Sequence, residues 1–211
     1  ERLDLMAADG TLGAVAHATI AGADTARLSV TPRGRTDLCG VAIETDPSTH
    51  AGVVLDTLAI NGARYGTMLA WDEAAFVSEA RRRPVDLAIF ELGTNEAGDA
   101  NPNPKRIRGE LARLLDRVRK ASPTADCVVV SPTDRADAET RVSAVKAGLE
   151  QEARALGCFW FDAHALLGGE GAMAKLREEP DPLVQKDGIH LTIKGYRGLG
   201  DALFAELMGG Y

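Results

Sequence analysis

From residue 53 onward, short apolar runs rich in β-branched residues alternate with longer stretches at helical spacing, and no other feature narrows the fold as much. "VVLDTLAI" (53–60), "DLAIFEL" (86–92), "CVVVS" (127–131) and "CFWFD" (158–162) are too short for helices and read as strands. Between and after them, apolar residues recur every three or four positions. The spacing predicts helices over 66–83, carrying Met68, Leu69, Trp71, Phe76 and Val77, and around Ile107, Leu111, Leu114, Leu115 and Val118. It predicts two more through Val142, Val145, Leu149, Ala153 and Leu156, and through Ile193, Tyr196, Leu199, Leu203 and Leu207 after a Thr192 N-cap. Strands alternating with helices imply a mostly parallel sheet covered on both faces, and "DLAIFEL" reads as buried on both.

Residues 1–52 differ in style. "AVAHATI", "ARLSV" and "LCGVAIE" are separated by turn-formers such as "TPRGR" and "TDPSTH", the pattern of a small antiparallel β module. The chain thus divides into a partial β-rich module over 1–52 and an α/β domain over 53–211. The polar, Pro-containing stretch "EAGDANPNPK" (96–105) reads as a mobile loop leaving a strand's carboxyl end, where open α/β sheets place their ligands.

A net charge of −7 argues against a nucleic-acid or anionic-membrane surface, and Arg81-Arg82-Arg83 reads as a solvated helix end. No apolar run approaches the roughly 20 residues of a membrane span. Cys39, Cys127 and Cys158 have no metal-like spacing and read as free thiols, the last two as small buried hydrophobes at strand starts.

Three short stretches carry chemistry. In "KDGIHLTIKGY" (186–196), Asp187 precedes His190 by three positions, just ahead of a helix cap. A carboxylate there can accept from the imidazole Nδ1–H, fix the tautomer and stabilise the imidazolium. In "FELGTNEAGD" (90–99), Gly93 permits a sharp turn and Asn95 can present its amide as a fixed donor, as an oxyanion hole requires. In "AINGARYGT" (59–67), Gly62 follows a strand and precedes a helix, so its N–H is a second candidate donor. Each alone also fits a plain turn.

In this order the three resemble the blocks of the SGNH (GDSL) hydrolase family over about residues 53–211. The longer wording "GTNEAGD", "GGEGAM" and "DGIHLTIKGY" is similar to bacterial peptidoglycan and carbohydrate O-acetylesterases that carry an inserted β-sandwich module. The resemblance implies a three-layer α/β/α sandwich with a five-stranded parallel sheet. It implies Gly62 and Asn95 as oxyanion donors, Asp187 and His190 as members of a Ser-His-Asp triad, and Glu96 as a loop-shaping carboxylate. No metal or organic cofactor is implied, and the location would be periplasmic, cell-envelope or secreted.

The family's first block, Gly-Asp-Ser, is missing from these residues. Ser29, Ser48, Ser78, Ser122, Ser131 and Ser143 all lack the Gly-Asp prefix, and only Ser131 ends a sheet strand. The expectation is therefore that this chain supplies the His-Asp pair while the Ser comes from an upstream segment or a second chain. That segment should lie as a parallel strand between 53–60 and 86–92. Two other functions stay open: a lipase- or thioesterase-like member, whose acyl groove would need apolar side chains such as Met68, Leu69 and Leu183 although these read rather as core, and a carbohydrate-binding protein without catalysis.

Overall fold

The computed structural model describes Ser29, Thr31, Gly40 and residues 51–209. The β module read over 1–52 therefore lies almost wholly outside the described residues. The chain divides into two compact units, Glu1–Leu58 and Ala59–Tyr211, and all the elements below belong to the second.

Three parallel strands, β1 (Leu87–Glu91), β2 (Asp126–Val130) and β3 (Phe159–Phe161), lie in the order β1-β2-β3. Alternation along β2 sends Cys127 and Val129 to one face and Val128 and Val130 to the other. The first face is covered by α4 (Pro104–Ala121) and α5 (Glu139–Ala155), with α1 (Tyr65–Leu69) against α4. α4 starts where Asn103 accepts from the Arg106 amide and Pro104 takes the first helical position, needing no N–H donor. Ile107, Leu111 and Leu115 of α4 and Val142, Val145 and Leu149 of α5 are essentially inaccessible. Each such side chain stabilises the domain by about 1.5–3 kcal/mol, so packing holds these helices more than propensity does. On the second face, Val128, Val130 and Phe161 meet Met173 of α7 (Ala172–Glu178), Val184, Leu191 and Leu199 of α8 (Ile193–Met208).

Where the expected strands pair, the fold is the parallel, helix-flanked sheet read from the sequence. Several details differ. Residues 53–60 belong to no strand and are exposed, with Val53 98% accessible, because no strand edge among the described residues pairs with them. β1 is buried only toward α4, through Phe90; Leu87 and Ile89 on its other side are 40% and 43% exposed. The single helix expected over 66–83 is two, α1 and α2 (Glu73–Arg82), because Asp72 accepts from the Ala75 amide and caps a new start. On α8 the apolar face is split: Leu199 is buried, whereas Ile193 and Tyr196 are 76% and 46% exposed.

Cys127 and Cys158 are joined by a disulfide, contrary to the free-thiol reading. Val128 lies opposite Phe159, so the register places the preceding pair, Cys127 and Cys158, side by side. Their burial was legible; their pairing depended on a register that only the folded sheet sets. Closing a 31-residue separation stabilises the fold by about 3–4 kcal/mol in the chain-entropy picture.

Candidate active site

The loop before α8 is built largely by its own backbone. Val184 and Leu191 form an antiparallel bridge, Gln185 N–H donates to the His190 carbonyl (2.7 Å), and Thr192 N–H to that of Leu183 (2.8 Å). Thr192 caps α8 by accepting from the Gly195 amide. Gly188 makes the bend at φ +69, and Asp187 Oδ1 accepts from the amides of Ile189 (2.9 Å) and His190 (3.0 Å). The other oxygen, Oδ2, stands 2.7 Å from His190 Nδ1. The hydrogen bonds from His190, backbone then side chain, and from the Ile189 amide hold the Asp187 carboxyl down at about 2. With Nδ1 engaged by Asp187, Nε2 is the ring nitrogen left for other partners, on a side chain 54% exposed. The loop meets the segment that follows the carboxyl end of β2, where Ala136 N–H donates to the Gly188 carbonyl. Burial first, then the Glu91 charge, and more weakly that of Asp187, push the Tyr196 hydroxyl's pKa up.

The second cluster gathers around a single helical turn, α3 (Thr94–Ala97), directly after β1. Gly93 takes φ +114, and a Cβ there would stand 2.9 Å from Leu149 Cδ1, so only glycine fits. Asn95 Nδ2 donates to the Ala63 carbonyl at 2.9 Å, one residue beyond Gly62. Gly62 itself occupies a turn closed by Ala63 N–H to the Ile60 carbonyl, with φ +75 and, among the described residues beyond its chain neighbours, no atom within 4 Å of where a Cβ would be. The two expected oxyanion donors are thus neighbours. The Asn95 amide carries a second N–H beyond the one given to Ala63.

The stretch read as a mobile loop is instead tethered. Glu96 is fully buried and its Oε1 accepts from the Tyr65 amide at 2.8 Å, in line with a loop-shaping carboxylate. Desolvation pushes its pKa up, against that hydrogen bond. Asp99 takes the Arg64 guanidinium in a two-point contact (2.8 and 2.9 Å), which lowers its own pKa. Asn95, Glu96 and Asp99 therefore grip three consecutive residues, 63 to 65. The Arg64–Asp99 pairing was not foreseen; a charged pair flanking the two blocks was its only signal.

Ser131 is buried, accepts from the His164 amide (2.9 Å) and lies 3.4 Å from Asp162, so it is committed to the core beneath α6 (Ala163–Leu166). Ser122 accepts from the Val85 amide, and Ser78 and Ser143 lie in α2 and α5. Met68 and Leu69 pack into the core rather than lining an acyl groove. Among the described residues no group of three or more metal-ligating side chains converges, and no helix is long and apolar enough to cross a membrane.

A parallel sheet with helices on both faces, an Asn-bearing turn directly after β1 and a His-Asp pair in the loop before the last helix define an α/β domain with both blocks on the described residues. The family model described as GDSL-like Lipase/Acylhydrolase family matches residues 18–197, and the chain belongs to that family. Among solved structures, it is similar to one described as "Peptidoglycan O-acetylesterase in action", with a TM-score of 0.64 and 21% identity over 70% of this chain. The chain spans 44% of that protein's length. A lipase/acylhydrolase from Enterococcus faecalis has a TM-score of 0.52 and 19% identity over 70% of this chain and 72% of its own. A carbohydrate esterase family 3 protein from Talaromyces cellulolyticus has a TM-score of 0.54 and 16% identity over 70% and 68%. At these identities the likeness is one of fold. No curated protein matches.

Proposed function

We propose that this chain contributes the base and oxyanion half of an SGNH-type serine esterase acting on O-acetyl groups of peptidoglycan or another carbohydrate. His190 Nε2 takes the proton of an attacking serine, and Asp187 orients the ring and stabilises the imidazolium. The Gly62 N–H and the free Asn95 N–H receive the oxyanion. The observation that carries the reading is the 2.7 Å contact between His190 Nδ1 and an Asp187 carboxylate already fixed by two amides. The acetyl preference is supported by neighbours described as a peptidoglycan O-acetylesterase and a carbohydrate esterase.

The nucleophile comes from a segment upstream in the same gene product or from a second chain. Such a strand, parallel to β1 and pairing with its free edge, would end beside the His190 loop. It would also satisfy the backbone groups of that edge and set apolar side chains beside Leu87 and Ile89. The fragment alone would then be inactive. A disulfide between β2 and β3 suits an oxidising compartment, which favours a periplasmic, envelope or secreted location. Labelling of the serine-containing gene product with a fluorophosphonate tests the reading: labelling lost in His190→Ala supports it. Equal labelling of wild type and His190→Ala sinks it.

A further inference from the structure

We propose that Arg135 is a positioning residue that fixes the Asn95 turn and the His190 loop relative to one another. The loop 131–138 leaves the carboxyl end of β2, and Arg135 within it is only 9% exposed. Its Nη1 donates to the Thr94 carbonyl at 3.1 Å, at the start of α3. The guanidinium also lies against Gly98: a Cβ added there would stand 3.0 Å from Nη1, so the glycine leaves room for the plane. Nε and Nη2 both donate to the Asp137 carboxylate at 2.9 Å, supplying the countercharge that a buried guanidinium needs.

The next residue makes the other half of the link. Ala136 N–H donates to the Gly188 carbonyl at 3.1 Å, between Asp187 and His190. Ala136 Cβ sits 2.8 Å from where a Gly188 Cβ would be, so the two backbones meet with no slack. One dipeptide therefore holds the carbonyl before Asn95 and the carbonyl of the Asp-His bend. Arg suits this place because its rigid fork serves a carbonyl and a carboxylate at once; a Lys ammonium cannot keep both in one plane. The Arg64–Asp99 pair ties the same segment to other residues and is hydrogen-bonded to neither Arg135 nor Ala136, which makes it the natural control. The consequence for turnover rests on the esterase reading, because a shift of one half against the other would misplace base and oxyanion donors.

The link is tested on the 211-residue chain by ¹H–¹⁵N NMR, which requires no catalysis. Arg135→Met should shift both the Asn95 side-chain amide and the Gly188 and His190 backbone amides. Arg64→Met should shift the Asn95 amide alone, and Arg135→Lys should return the His190 amide part of the way. From the other end, Gly188→Ala, or the milder Ala136→Gly should Arg135→Met not fold, should shift the Asn95 amide reciprocally. A folded Arg135→Met whose Gly188 and His190 amides stay at their wild-type positions overturns the proposal, as does a Gly188 or Ala136 variant that leaves Asn95 unmoved. In the serine-containing gene product, Arg135→Met should slow fluorophosphonate labelling by up to about 100-fold with the fold intact. A wild-type protein that fails to label while the NMR shifts appear would count against the esterase reading and leave the link standing.

Discussion

The turn carrying Asn95 is held by partners 31 to 41 positions away in sequence, through Ala63, Arg64, Tyr65 and Arg135, and its Glu96 is fully buried. The Asp187–His190 pair is set by contacts two and three positions apart, from the exposed Asp187 carboxylate to the Ile189 and His190 amides and to the His190 ring. Only the Gly188 carbonyl between them is held from afar, by Ala136. The difference is one of physics as much as distance. On the proposed reading the turn holds oxyanion donors, which must be stiff before charge develops, and a turn locked into the core provides that. On the same reading His190 is a general base, which must reach water and substrate, and a short capped loop orients it without burying it. Damage to the first half should therefore appear in stability as well as chemistry, and damage to the second mainly in chemistry.

The largest expected effect is chemical. In the serine-containing gene product, Asp187→Asn should lower kcat by about 10⁴, as loss of the correct tautomer does in Ser-His-Asp triads, with a smaller fall in thermal midpoint than Asn95→Ala. A mutant that keeps its kcat, or one that unfolds, would erase the contrast. Next, Asn95→Ala should raise the activation barrier by about 2.7–4 kcal/mol. It should also destabilise the chain in urea, since the bond to Ala63 is lost with it. Unchanged stability would show that the turn does not depend on that bond.

Gly93→Ala should cost about 2–4 kcal/mol in denaturant unfolding, from the φ of +114 together with the close approach of Leu149. A cost within experimental error would mean the turn yields more easily than its packing implies. The smallest effect concerns pH. The Asp187 carboxyl is held below its ordinary value, at about 2, so its contribution to stability is present above about pH 4 and is lost as pH falls toward 2. The slope of stability against pH over that window should flatten in Asp187→Asn. An unchanged slope would assign acid sensitivity to other carboxylates.

The Asp187–His190 pair was legible for the same reason it is local: Asp187, His190 and the Thr192 cap lie within six residues, and the hydrogen bonds among them need only their neighbours. Strands β1 to β3 and helices α4, α5 and α8 were legible because their period is written along the chain. The cap at Asp72 that splits α1 from α2 was written there too, but the apolar period ran through it.

What the sequence by itself determined was the alternation of strand and helix, the order of the chemical blocks and the local geometry of the Asp-His bend, because each depends on residues a few positions apart. Only the tertiary structure decided the Cys127–Cys158 bond, the grip of Asn95, Glu96 and Asp99 on residues 63 to 65, and the bridge through Arg135 and Ala136. It likewise left one side of β1 and the run 53–60 exposed, where their composition had pointed to burial. Those features depend on strand register and on which surfaces meet, and contacts between residues thirty or more positions apart leave no period in the chain to read.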